Sequence, residues 1–128
     1  MDLKFTDEDI KFREQVKTFI EKNLSSDLRK KIMNGGSYTK DEIIKWQKAL
    51  YANNWFANNW PKSYGGSEWT PMQRYIFDQE TAASYSPQIV PFGVTMVGPV
   101  IIEYGTQQQK ERFLPKILNS EHWWCQGY

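Results

Sequence analysis

The sequence predicts an all-α fold, an up-down-type bundle of five to six helices that ends in one orphan β-strand. Helix-start signatures recur along the chain, each followed by apolar residues at the spacing of one helical face. The final stretch, "HWWCQGY", is instead apolar, aromatic and β-prone. A strand needs a neighbour for its backbone N–H and C=O groups, and the sequence supplies none beside it.

In "FTDEDI", Thr6 is placed to cap a helix with Asp9 at the third position, while Phe5 and Ile10 are placed to form a hydrophobic staple. Asp7, Glu8 and Asp9 suit the positive end of the helix dipole. This helix is expected to run to about Asn23, with Phe12, Val16, Phe19 and Ile20 as its buried stripe. "SSDLRKKIMNGG" gives a short helix stopped at Gly35 and Gly36. "YTKDEI" repeats the first device: Thr39 caps, Glu42 reaches back, and Tyr38 staples to Ile43. Ile43, Trp46 and Leu50 continue that face to about Ala52. "TPMQ" starts another helix, with Thr70 as cap, Pro71 at the first helical position and Gln73 in the box, and it should reach Ala83. "GTQQQ" opens the last helix after Gly105, and Pro115 is expected to break or kink it.

The segment from about Phe92 to Tyr104 differs from the others. It is apolar nearly all round, so it should be buried on most sides, and something besides the domain itself should cover one face. Gly93 and Gly98 would let other backbone or a ligand approach closely.

Bulk properties narrow the function classes. A chain of 128 residues has the size of one domain. Sixteen basic residues against fifteen acidic ones leave no electrostatic footprint for nucleic acid and no basic face for a membrane. The apolar stretch Ile89–Ile102 is too short to span a bilayer and is interrupted by Pro91, Gly93, Gly98 and Pro99. The N-terminus, charged from Asp2, is no secretory signal, and the single Cys125 excludes an internal disulfide, so a cytoplasmic location is expected. Aromatic residues make up 16% of the chain, which fits a large core or interface and, as a sharper alternative, a sugar-binding surface.

Candidate chemistry within the chain is sparse. His122 and Cys125 lie an odd number of residues apart, so on a strand they point to opposite faces, and no second His or Cys completes a metal site. A packed thiol and a surface histidine are expected. "YGG" at Tyr64–Gly66 lacks the Lys-Ser/Thr of a phosphate loop and reads as a turn needing positive φ. Glu80 and Glu103 are isolated acids with no visible partner for acid–base work. No metal site and no self-sufficient catalytic set is predicted.

Several segments taken together resemble the acyl-CoA dehydrogenase family. "FTDEDIKFREQVKTFIEKNL" is similar to the family's first helix, and "NNWPKSYGGSEWTPMQRYIFDQETA" to its Trp-Pro…Tyr-Gly-Gly loop with the acidic-ended helix that follows. "GPVIIEYGTQQQKERFLPKILNSEHWWCQGY" carries the most specific run, Gly-Thr…Gln-Lys…Phe-Leu-Pro leading into Trp-Cys-Gln-Gly. The likeness extends from Leu3 to Tyr128.

The resemblance implies a helical N-terminal domain over residues 1–122, with 123–128 as the first strand of a β middle domain. The family's Ser/Thr-Glu-Pro…Gly-Ser-Asp flavin-binding segment and its C-terminal helical domain are not in this sequence. That domain normally supplies the catalytic glutamate, so no catalytic residue is assigned here. The implied chemistry is FAD-dependent α,β-dehydrogenation of an acyl-CoA thioester to a trans-2-enoyl-CoA. A carboxylate base takes the α-proton, the β-hydrogen leaves as hydride to flavin, and electrons pass to an electron-transfer flavoprotein. By position, the resemblance puts Gln126, Gly127 and Tyr128 beside the cofactor, and Gln88, Phe92, Thr95 and Met96 near the acyl chain. It also implies a homo-oligomer, and a fragment that does not hold FAD tightly and is inactive alone. The alternative is a free-standing helical interaction module that docks onto a separate chain carrying the β domain, using the edge of its terminal strand.

Overall fold

The computed structural model describes residues 4–128; Met1, Asp2 and Leu3, at the start of the expected N-terminal domain, lie outside the described residues. The architecture is all-helical, with α1 (Asp7–Asn23), α2 (Ser26–Met33), α3 (Lys40–Ala52), α4 (Pro71–Ala83), α5 (Gly98–Tyr104) and α6 (Gln107–Leu118). A 3-10 turn at Lys62–Tyr64 and a π turn at Phe92–Val97 complete the order. The chain divides into two compact units: residues 4–42 with Trp69–Pro87, and Ile43–Glu68 with Gln88–Tyr128.

The caps fall where the sequence places them. Thr6 Oγ1 accepts from the Asp9 N–H at 3.1 Å and Asp9 Oδ2 accepts from the Thr6 N–H at 2.9 Å. The same reciprocal box closes at Thr70 and Gln73, and at Thr106 and Gln109. At α3, Glu42 Oε2 accepts from the Thr39 N–H at 2.6 Å and also meets Lys31 Nζ at 2.9 Å. Each box satisfies two N–H groups that the helix start would otherwise leave without partners.

In the first unit, α1 packs on α4. Phe12, Val16, Phe19 and Ile20 of α1 are buried, as are Ile76 and Phe77 of α4. Trp69 is set edge-on to Phe12, ring centroids 5.1 Å apart, and tilted against Phe77 at 5.3 Å. Glu80, read from sequence as an isolated acid, is instead paired with Arg13, which also donates to Gln79 Oε1 at 3.1 Å and lies over the Phe5 ring at 4.7 Å. The partners are 67 residues apart, beyond the reach of local pattern. Ile10, expected in the staple, is 51% exposed.

The second unit is built on Ile43, Trp46 and Leu50 of α3, Phe56, Ala57 and Trp60 of the following loop, and Leu114, Ile117 and Leu118 of α6. Gly65 takes the expected left-handed conformation (φ 81°), and a Cβ on Gly66 would sit 2.0 Å from the Trp60 carbonyl oxygen. The aromatic loop is therefore folded tightly on its own main chain.

Several expectations are corrected here. The helix expected over Phe92–Tyr104 begins as a π turn, with the Gly98 N–H donating to the Gly93 carbonyl. Pro115 does not break α6, which runs through it to Leu118 although Pro115 has no N–H for the Glu111 carbonyl. The terminal strand is absent. Residues 123–128 have no regular structure, and no strand occurs among the described residues to pair with them. The residue roles reverse as well: Cys125 is exposed, whereas His122 is half-buried with its ring 6.3 Å from Phe113.

Candidate functional site

The residues expected to line an acyl chain cluster on one stretch of the second unit. Phe92 is half-buried at the start of the π turn, Thr95 and Met96 are exposed within it, and Gln88 is exposed just ahead of it. Only small or inward residues of this rod are covered: Gly93, Val94 and Gly98 are buried. Met96 is 43% exposed, Val100 55% and Tyr104 82%. The rod thus presents an apolar outer face, as expected of a segment one side of which something besides the domain should cover. Elsewhere in the unit, Trp60 and α6 meet its inner side.

What holds the rod is a polar framework that periodicity alone does not expose. In an α-helix the Gly98 N–H would serve the Val94 carbonyl; here it serves Gly93. The donor five residues beyond Val94 would be Pro99, which has no N–H. The Val94 carbonyl is instead taken by the Trp60 indole N–H at 2.6 Å. Trp60 is 1% exposed, and a Cβ on Gly98 would lie 2.1 Å from its Cζ2, so the indole fits only against a glycine. Gly93 likewise admits Ile117 and Trp124, whose nearest atoms would be 3.2 and 3.3 Å from an added Cβ. The close approaches expected at these glycines are thus made by side chains of the chain itself.

Gln47, only 3% exposed, forms the second tie. Its Nε2 donates to Ser120 Oγ at 3.0 Å and its Oε1 accepts from the Val90 N–H at 3.0 Å. These groups border a cavity of about 20 Å³ lined also by Phe56, His122 and Trp124. That is room for about one water, against the several hundred Å³ of a typical ligand pocket. The cavity is therefore not the ligand site. Trp124 stacks edge-on to Phe113 at 5.6 Å.

Gln126, Gly127 and Tyr128 are exposed, and the Tyr128 hydroxyl donates to Gln126 Oε1 at 3.2 Å. A Cβ on Gly127 would meet nothing within 4 Å. All three therefore stand open to solvent. Glu103 is exposed on α5, and the described residues contain no group of three His, Cys, Asp or Glu able to hold a metal ion. No described helix is long and apolar enough to cross a membrane.

Known proteins resemble this chain in both sequence and fold. Acyl-CoA dehydrogenase IpdE1 of Mycolicibacterium smegmatis is 36% identical over 122 residues, covering 91% of this chain and 31% of that protein. Acyl-CoA dehydrogenase FadE26 of Mycobacterium tuberculosis is 29% identical over the whole chain and 32% of its own length. The chain therefore spans about a third of these relatives. Among solved structures, the ChsE4-ChsE5 complex from Mycobacterium tuberculosis superimposes with a TM-score of 0.77 at 25% identity, over 94% of this chain and 30% of that one. The Tcur3481-Tcur3483 steroid ACAD gives 0.78 at 29% identity, over 94% and 31%. The pattern described as "Acyl-CoA dehydrogenase, N-terminal domain" matches residues 6–121. Since that match covers most of the chain, the chain belongs to the acyl-CoA dehydrogenase family and carries its helical N-terminal domain.

Proposed function

We propose that residues 1–122 are the N-terminal domain of an FAD-dependent acyl-CoA dehydrogenase and that 123–128 lead into its β middle domain, becoming a strand when a partner strand is supplied. The outer face of the rod carries the reading: Phe92, Thr95, Met96 and Val100 form one apolar wall whose cover lies outside the domain. Such a wall removes water from an acyl chain and orients it by shape. Gln88, exposed just ahead of the turn, would border the same acyl chain. Likeness to a steroid ACAD supports a steroid-bearing acyl-CoA as the substrate class. FAD is held chiefly by the other domains, with Gln126, Gly127 and Tyr128 closing on it once those are present. The reduced cofactor passes its electrons to an electron-transfer flavoprotein in the cytoplasm, and the working enzyme is an oligomer.

A second reading has one observation in its favour. One similar structure is a complex of two proteins, ChsE4 and ChsE5. The domain would then act as a module on a separate chain carrying the β domain.

One experiment serves both. The purified chain is mixed with FAD, alone and after co-expression with the β and C-terminal domains of a relative. Alone it should remain colourless; the assembly should be yellow and should bleach on addition of a steroid acyl-CoA. Tight stoichiometric FAD binding by the chain alone, or an assembly that bleaches with no acyl-CoA, would overturn the proposal. Recovery of the natural protein as an equimolar pair with a β-domain chain would favour the second reading.

A further inference from the structure

We propose that Trp60 is the positioning residue that holds Phe92–Val97 in its π turn, and thereby fixes which side chains of the rod face the acyl ligand. The geometry is a closed set of constraints. Pro99 removes the donor that an i→i+5 ladder would offer Val94, and the Gly98 N–H is already engaged by Gly93. The Trp60 indole supplies the missing donor at 2.6 Å. Gly98 leaves the space for its ring, and Gly66 lets the loop main chain fold against Trp60 from the other side.

The turn matters for direction. Residues five apart lie about 140° apart around an α-helix, yet Gly93 and Gly98 are both buried here. The i→i+5 bond stacks them on one side and leaves Thr95 and Met96 outward with Val100. An α-helical turn in its place would rotate Phe92 relative to α5 by about 100°. Side chains on the wall would then be exchanged without any change of sequence. π turns recur at functional sites for this kind of reason.

The test uses the full chain and amide hydrogen exchange read by NMR. Trp60→Phe keeps an aromatic ring and removes the donor. It is expected to speed exchange of the Gly98 amide by about tenfold or more while leaving the Val16 amide of α1 unchanged, the mark of local opening. Pro99→Ala in that background restores an N–H within the helix and should slow Gly98 again, a rescue that loss of packing would not give. Unchanged Gly98 exchange in the single variant, or no rescue in the double, overturns the inference. Should Trp60→Phe fail to fold, the scalar coupling from the indole nitrogen to the Val94 carbonyl carbon in the unsubstituted chain decides, its absence being fatal.

The ligand half of the inference rests on the proposed acyl wall. In the assembled enzyme, Trp60→Phe should shift the ratio of kcat/KM between a steroid and a short linear acyl-CoA by about tenfold, the scale on which apolar pockets discriminate, with flavin content unchanged. An unchanged ratio overturns that half. An unsubstituted assembly that bleaches with no acyl-CoA would instead remove the proposed function and leave the exchange result standing.

Discussion

Gln47 lies on α3 four residues after Ile43 and three before Leu50, at a position where periodicity calls for an apolar side chain. That mismatch is the sequence signal for the framework, yet neither Ser120 nor Val90 is visible as its partner, because the contacts lie 73 and 43 residues away. Gln47→Leu keeps the volume and strands the Val90 N–H and the Ser120 hydroxyl. The loss should be about 1–3 kcal/mol for a buried donor left without its acceptor, read as a lower urea midpoint with an unchanged slope. A midpoint equal to that of the unsubstituted chain would mean that water replaces the amide without cost. Glycines show the same limit. "YGG" announces a turn, whereas the tryptophan ring that demands Gly98 is 38 residues away and carries no local mark.

At the scale of elements, the chain reads well wherever the cause is local. Helix starts are set by a side chain reaching three residues along, so Thr6, Thr39, Thr70 and Thr106 are legible, as are the ends near Asn23, Ala52 and Ala83. The π turn was not legible, since it depends on a donor from another loop. The terminal strand failed for a related reason: β-propensity describes fit to a neighbour, and none is present among the described residues. Caps also give α3 a pH response. The Thr39 N–H and then Lys31 hold the Glu42 carboxyl below the usual glutamate range. A carboxylate whose folded pKa is depressed stabilises the fold above its unfolded pKa, and that contribution disappears as pH falls through the folded value. Glu42→Gln should therefore lower the melting temperature near neutrality, where the carboxylate's contribution is fully present, and flatten the acid limb, so that the two proteins converge as pH falls below the ordinary glutamate pKa. An acid limb identical in both proteins would assign the response to other groups.

For the molecule as a whole, the outward face of Met96, Val100 and Tyr104 is the feature that a free domain has to contend with. Contiguous exposed apolar surface marks an interaction site or an aggregation liability. The chain by itself should bind a hydrophobic dye and self-associate in sedimentation, and Met96→Glu with Val100→Glu should weaken both while the helical signal persists. A dye-silent monomer would contradict the assignment of this face as a wall. This exposure was foreseeable from the lack of a polar face between Ile89 and Ile102, whereas the direction in which it points was not.

The interleaving of the two units has a consequence for biosynthesis. Each unit draws on two separated stretches, 4–42 with 69–87 and 43–68 with 88–128. A nascent chain can close the first unit once residue 87 has cleared the ribosome, but the second has to wait for α6, holding Trp60 without its backbone acceptor until Val94 emerges. Neither unit can be excised as one continuous peptide, so limited proteolysis or gene trimming that severs the chain between Glu68 and Trp69 divides both at a stroke.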